Sequence, residues 1–170
     1  MERNPRAASS AAVTLRPITP DDAPFLYRVY ASTREEELAV IDWTPDQKAA
    51  FLKMQFDAQH AYYQQHYAGA AFQVILVDGE PAGRLYLARL PEELRIVDIA
   101  LLPAYRGAGI DTRLIREVLA EAAGAGKVVR IHVEQYNPAR RLYERLGFVP
   151  VGEFGIYIHM ECRPDAAAQA

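Results

Sequence analysis

The 170-residue chain has a single cysteine, Cys162. No intramolecular disulfide and no zinc site of several thiolates can therefore form. Its four histidines show no regular pair of metal-ligand spacing, so we predict that the protein binds no metal. The sequence also lacks a signal-peptide core and any apolar run of about 18 residues. These absences predict a soluble, cytoplasmic protein with no membrane partner.

An excess of basic residues is missing as well. The formal net charge is -3, and Lys and Arg are scattered along the chain, so we expect no nucleic-acid partner. Apolar residues make up 51% and charged residues 24%, as in ordinary globular proteins. Residues 1–12 and 163–170 are small, polar and aperiodic, which predicts disordered tails. Residues 13–162 are then expected to form one domain.

The apolar periodicity predicts the order β α α β β β α β α β β, an α/β chain whose helices are interleaved with a mixed sheet. Local signals support it. Thr19 and Thr44 are typical helix N-caps, Asp78 with Gly79 suits a tight hairpin, and Gly147 is placed to end the last helix.

A glycine-containing loop joins the predicted strand of residues 94–101 to the next predicted helix. Gly107 and Gly109 allow a tight turn that points backbone N–H groups towards the helix N-terminus, where a phosphate is favoured. The alternative to a phosphate site is an ordinary strand-to-helix turn, which would also account for the two glycines. The loop is neither a Walker loop, since no Gly-Lys-Ser/Thr follows, nor a dinucleotide fingerprint, since the third glycine is missing.

Two longer motifs resemble one known family. The run VDIALLPAYRGAGIDTRLI, residues 97–115, resembles the acyl-CoA-binding motif of GNAT N-acetyltransferases, and NPARRLYERLGF, residues 137–148, resembles the second signature of that family. With the order of elements, the resemblance covers nearly all of residues 13–161. It implies the GNAT fold, a mostly antiparallel sheet of about seven strands flanked by about four helices.

The resemblance also implies that acetyl-CoA is the cosubstrate. The strand before the loop is expected to splay from its neighbour and to pair with the pantetheine arm, while loop N–H groups hold the pyrophosphate and the Arg106 guanidinium adds charge. The residues implied to bind the cosubstrate are Ile99, Ala100, Leu101, Arg106, Gly107, Ala108, Gly109, Ile110, Asp111, Thr112, Asn137, Arg140 and Tyr143.

Two catalytic roles follow from the same resemblance. Tyr143 is implied to be the general acid that protonates the departing thiolate, although an ordinary core tyrosine on a short helix has the same pattern. Asp98, on the strand before the loop, is our first candidate for the base that accepts the amine proton. Glu134 and His132 on the next strand are the alternatives, and each of the three can equally be a solvated residue or an ion-pair partner.

Two positions depart from the family pattern. Ala104 stands where Gln or Arg is usual, and Asp111 stands where a small residue is common. A carboxylate at the start of the helix is expected to repel a pyrophosphate, unless it turns outward or caps the helix. A non-catalytic acyl-CoA sensor or partner-binding module is therefore the alternative to an enzyme.

The acceptor side is expected at the first two helices. A polar cluster near Trp43 predicts a mouth for a cationic amine, and a solvated helix end is the plain alternative. The residues assigned to the acceptor are Ser32, Arg34, Glu35, Trp43 and His132.

The sequence thus predicts an N-acetyltransferase that transfers an acetyl group to a primary amine of a small molecule or peptide by direct attack in a ternary complex. The acceptor itself stays open. A homodimer is compatible with the sequence, because final strands of small sheets can pair across a two-fold axis. A flavodoxin-like nucleotide binder fits the loop but leaves the late strands unexplained.

Overall fold

The computed structural model describes residues 11–164, so most of the two predicted tails lies outside the described residues. Ala12, within the predicted N-terminal tail, is paired: its N–H donates to Asp78 Oδ1 at 3.0 Å, and the Asp78 N–H donates back to the Ala12 carbonyl at 2.8 Å. At the other end, Pro164 is buried. The described residues thus include Ala11, Ala12, Arg163 and Pro164 of the two predicted tails.

The structure confirms the α/β class and the predicted order of elements. The strands are β1 Val13–Pro17, β2 Ala71–Val77, β3 Glu80–Arg89, β4 Glu93–Leu101, β5 Val128–Glu134, β6 Val149–Phe154 and β7 Tyr157–Cys162. The helices are α1 Ala23–Ala39, α2 Pro45–His66, α3 Ile110–Ala125 and α4 Arg140–Arg145.

The seven strands form one sheet in the order β1-β2-β3-β4-β5-β7-β6. Every neighbouring pair is antiparallel except β4 and β5, which are parallel. Their ladder is short, running only from Glu93 opposite Val128 to Ile96 opposite Ile131. Beyond Ile96 the two strands part, and this opening is the splay that the family resemblance implied.

A β-bulge lies at the start of the opening. Tyr86 of β3 is opposite Asp98 of β4, but the next residue, Leu87, is opposite Ile96, so Val97 is the extra residue. A bulge bends its strand and increases its twist. The bend turns the end of β4 away from β5 while β4 stays paired to β3 as far as Leu101 opposite Gly83.

Local signals position the first two helices as the sequence predicts. Thr44 is the N-cap of α2, and its Oγ1 accepts from the Gln47 N–H at 3.1 Å. Before α1, the Thr19 N–H donates to Asp22 Oδ2 at 2.7 Å, although a short 3-10 turn precedes the helix itself. The Arg16 guanidinium forms a bidentate pair with Asp22, at 2.8 Å for each bond, and holds the pKa of that carboxyl well below its usual range.

Two apolar clusters hold these layers together. The larger one packs α3 and α4 on one face of the sheet, with Leu114 and Ile115 of α3 buried among strand residues such as Ile131. The smaller one fills the space between α1 and α2 around Leu26 and Phe56. None of the described helices has the length and apolar character needed to cross a membrane.

The contact between β3 and β4 predicts that Gly83→Ala destabilises the protein. A Cβ at Gly83 would collide with the Ala100 carbonyl oxygen on the neighbouring strand, and backbone cannot move aside as a side chain can. We expect a loss of about 1–3 kcal/mol in the free energy of unfolding, measured by urea denaturation.

Gly152→Ala is the matched control, because Gly152 also lies in a strand but a Cβ there would meet open space. Its free energy of unfolding should stay within about 0.5 kcal/mol of the wild type. Equal values for the two variants would show that the close approach of β3 to β4 is not as described.

Candidate active site

The loop after β4 has the conformation that its glycines suggest. Gly107 and Gly109 have φ of 73° and 79°, a region that L side chains disfavour, and Gly109 is the N-cap of α3. No side chain caps α3 from that position. The first N–H groups of α3 therefore lie at the positive end of a 16-residue helix, next to the opening between β4 and β5.

Asp111 lies in the first turn of α3 and is not its N-cap. Its Oδ1 accepts from the Thr112 N–H at 2.8 Å. The carboxylate thus gains from the helix dipole, but it occupies one of the N–H groups that an incoming anion would use. The carboxylate does not cap the helix, and it lies beside the first N–H groups of α3.

Arg106 connects the loop to α1. Its Nε donates to the Leu101 carbonyl at 3.0 Å, and a terminal nitrogen donates to Ser32 Oγ at 3.1 Å. Ser32, which the sequence analysis assigned to the acceptor, is only 9% exposed, and its hydroxyl also donates to the Val29 carbonyl at 2.7 Å. These bonds hold the loop against α1.

The second signature forms the turn from β5 into α4. Asn137 Oδ1 accepts from the Ala139 N–H at 2.9 Å, and the Asn137 N–H donates to the Glu134 carbonyl at 3.0 Å. The helix ends at Leu146, and Gly147 follows with a φ of 98°, as predicted.

Tyr143 of α4 is 5% exposed and packs edge-on against Phe148, with ring centroids 5.8 Å apart. Burial raises the pKa of its hydroxyl, and the nearby charges of Asp98 and Asp111 raise it further. Tyr143 is therefore a protonated hydrogen-bond donor near β4 and near the start of α3. Its hydroxyl forms no hydrogen bond with another of the described residues.

Asp98 is held by two residues that sequence reasoning missed. Its Oδ2 accepts from the Arg84 guanidinium at 2.8 Å and from the Tyr63 hydroxyl at 3.1 Å. Arg84 is 3% exposed, and the same terminal nitrogen donates to Gln59 at 2.9 Å. The signal that could have identified Arg84 is a charged residue inside the otherwise apolar run of β3.

The alternative bases have other partners. Glu134 lies 3.8 Å from the guanidinium of Arg34, a long ion pair. His132 of β5 stacks on His159 of β7 with centroids 3.8 Å apart. Partial burial of the ring, with the charges of His159 and Arg95 beside it, lowers the pKa of His132 to about 4, so this imidazole is neutral near pH 7.

A small hollow of about 140 Å³ lies between α1 and α2, where the sequence analysis expected the acceptor. Arg34 lies on its wall, 2.9 Å from Glu37 and 5.7 Å from the Tyr30 ring centroid. Trp43 is 41% exposed and packs edge-on against Phe51, which also lines the hollow, while Glu35 is exposed. Arg34 offsets the acidic charge, so this mouth is polar and aromatic rather than uniformly negative.

A larger hollow of about 620 Å³ lies beside α4. Asn137 and Arg140, two of the predicted cosubstrate residues, are on its wall, and Arg140 Nε lies 3.1 Å from Glu144. Within residues 11–164, no three His, Cys, Asp or Glu side chains come together as a metal site would require.

Comparison with known proteins agrees with this geometry. The model of the acetyltransferase (GNAT) family matches residues 28–148. The chain belongs to the GNAT family of acetyltransferases. Among characterised relatives, it is 39% identical over 99 residues to the N-alpha-acetyltransferase RimI of Mycobacterium tuberculosis (strain ATCC 25618 / H37Rv). That match spans 57% of this chain and 60% of the relative.

Solved structures show the same fold at low sequence identity. The PaiA N-acetyltransferase of Thermoplasma acidophilum, in complex with coenzyme A, has a TM-score of 0.68 at 17% identity and covers 89% of this chain and 99% of its own. A spermidine N-acetyltransferase SpeG chimera from Vibrio cholerae and hSSAT has a TM-score of 0.62 at 22% identity, covering 93% and 99%. The structure of yncA of Salmonella typhimurium with its cofactor acetyl-CoA has a TM-score of 0.56 at 22% identity, covering 91% and 95%.

Proposed function

We propose that the protein transfers the acetyl group of acetyl-CoA to a primary amine of a small molecule or peptide, in a ternary complex. The observation that carries the proposal is the opening between β4 and β5. Asp98 lies on the segment of β4 beside the opening, α3 begins after the loop that follows β4, and the charges of Asp98 and Asp111 act on the buried hydroxyl of Tyr143.

The donor side of the site suits coenzyme A. On its β5 side, the backbone of residues 97–101 has no ladder partner among the described strands. Apart from the Leu101 carbonyl, which accepts from Arg106, the N–H and C=O groups on that side can pair with the amides of a pantetheine arm. The first N–H groups of α3 suit the pyrophosphate. Related structures hold coenzyme A or acetyl-CoA, which supports the same cosubstrate here.

The reaction needs two proton transfers and no covalent enzyme intermediate. The neutral amine nitrogen attacks the thioester carbonyl carbon, a C–N bond forms, and the nitrogen passes a proton to Asp98. The C–S bond then breaks, and Tyr143 gives its proton to the sulfur, so that coenzyme A leaves as a thiol. Cys162 does not serve as an acyl carrier, since it is 1% exposed and burial raises the pKa of its thiol.

The relatives favour a primary amine as acceptor. RimI of Mycobacterium tuberculosis is an N-alpha-acetyltransferase, and the SpeG chimera is a spermidine N-acetyltransferase. The polar and aromatic hollow beside Arg34 is the entry that we assign to the acceptor. A second candidate function, a non-catalytic acyl-CoA sensor, is favoured by one observation: the Asp111 carboxylate occupies an N–H group at the start of α3.

The proposal is tested by following thiol release from acetyl-CoA with peptides bearing a free N-terminus, with spermidine and with free amino acids. Tyr143→Phe should lower kcat about 100-fold on the best amine, because the departing thiolate loses its acid, while acetyl-CoA affinity changes little.

Tyr27→Phe is the control for Tyr143→Phe. The Tyr27 hydroxyl makes a long contact of 3.4 Å with the Ala49 carbonyl between α1 and α2, so its loss should leave kcat unchanged. Acetyl-CoA binding without consumption by any amine would favour the sensor over the enzyme.

Asp111 generates a separate prediction for acetyl-CoA binding. Asp111→Gly should tighten binding about tenfold, since it removes a negative charge beside the pyrophosphate and frees the Thr112 N–H; this corresponds to ~1.4 kcal/mol. Isothermal titration calorimetry measures the effect. Asp111→Asn, which removes the charge at nearly constant size, separates repulsion from occupation of the N–H. Unchanged or weaker binding in both variants contradicts this account of Asp111.

A further inference from the structure

A buried polar cluster lies beneath the opening, between α2 and the sheet. Tyr86 and Asp98 are directly opposite one another on β3 and β4, so their side chains share a face. Arg84 lies two residues before Tyr86 and projects to the same face. Tyr63 of α2 packs against the cluster from the helix side, and its ring centroid lies 5.9 Å from that of Tyr86.

The cluster is an unfavourable arrangement for stability alone. Burying a guanidinium is costly unless all of its donors are satisfied, and here the Arg84 Nε and the Tyr86 hydroxyl are buried without a hydrogen-bond partner among the described residues. A buried ion pair such as Arg84 with Asp98 generally adds little net stability. The arrangement therefore points to a role other than holding the fold together.

The hydrogen bonds are distributed unevenly over the Asp98 carboxylate. Both Arg84 and Tyr63 donate to Oδ2. No bond from the described residues reaches Oδ1, and the Asp98 side chain keeps 15% of its surface exposed. Burial and the charge of Asp98 raise the pKa of Tyr63, so its hydroxyl stays protonated and remains a donor. One oxygen is fixed, and the other is left for a ligand.

We propose that Arg84 and Tyr63 are positioning residues for Asp98. By holding Oδ2, they fix the carboxylate plane so that Oδ1 receives the proton of the acceptor amine. This inference rests on the proposed acetyl transfer and assigns to that reaction two residues that act through Asp98. The Val97 bulge contributes to this positioning, because it sets Asp98 opposite Tyr86 and within reach of Arg84.

A double-mutant cycle tests the inference with Tyr63→Phe, Asp98→Asn and the two together. If Tyr63 acts through Asp98, Tyr63→Phe should lower kcat about tenfold in the wild-type background and less than about twofold in the Asp98→Asn background. The KM for acetyl-CoA should stay unchanged in Tyr63→Phe, whereas a general loosening of the fold would raise it.

Two further variants serve as controls for the double-mutant cycle. Tyr62→Phe is the matched control, because Tyr62 is adjacent on α2 but is half-exposed and stacked on His66, so its kcat should match the wild type. Arg84→Lys keeps the charge but loses the planar guanidinium, and it should behave as Tyr63→Phe does if circular dichroism shows a folded protein.

Additive effects of Tyr63→Phe and Asp98→Asn, with turnover in the wild type, would overturn the positioning role and leave the acetyltransferase proposal intact. A wild type that binds acetyl-CoA but acetylates no amine would overturn the acetyltransferase proposal, and the positioning role would fall with it.

Discussion

The parting of β4 from β5 after Ile96 is the constraint on which the rest of the structure depends. A parallel pair in the middle of a sheet normally continues, because each unpaired backbone group in the interior is unfavourable. Here β4 follows β3 instead, through the Val97 bulge and the close approach of Gly83 to Ala100. The result is an internal strand edge whose polar groups are available to a ligand.

The surrounding polar contacts stabilise this opening. Arg106 joins the end of β4 to α1 through Ser32, and Arg84 joins β3 to Asp98 on the parted segment. On the opposite side, Asn137 shapes the turn that leads from β5 into α4 and so places Tyr143. The opening is thus bounded by fixed elements, and preorganisation of this kind lowers the free-energy cost of binding a long, flexible cosubstrate.

The two carboxylates near the opening differ in how their negative charges are neutralised. The negative charge of Asp98 is matched by a buried guanidinium, whereas within residues 11–164 Asp111 has only the helix dipole and the Thr112 N–H as partners. Tyr143 lies near both carboxylates, and both help to keep it protonated. A protonated tyrosine close to the expected position of the thioester sulfur fits the role of an acid, and it does not fit the role of a nucleophile.

Much of the fold could be predicted because its signals are local. Thr44 caps α2 and Gly147 follows α4 as the sequence indicates, since capping depends on residues a few positions apart. The partners of Asp98 could not be predicted, because they come from β3 and α2, 14 and 35 residues away, and meet only through the strand register.

The most direct test of the central claim is a titration of the ¹⁵N-labelled protein with coenzyme A, followed by the backbone amide chemical shifts in NMR spectra. The account predicts that the largest changes fall on residues 97–101 of β4 and on residues 107–112 at the start of α3. Changes confined to the hollow between α1 and α2, or an absence of changes at saturating coenzyme A, would contradict it.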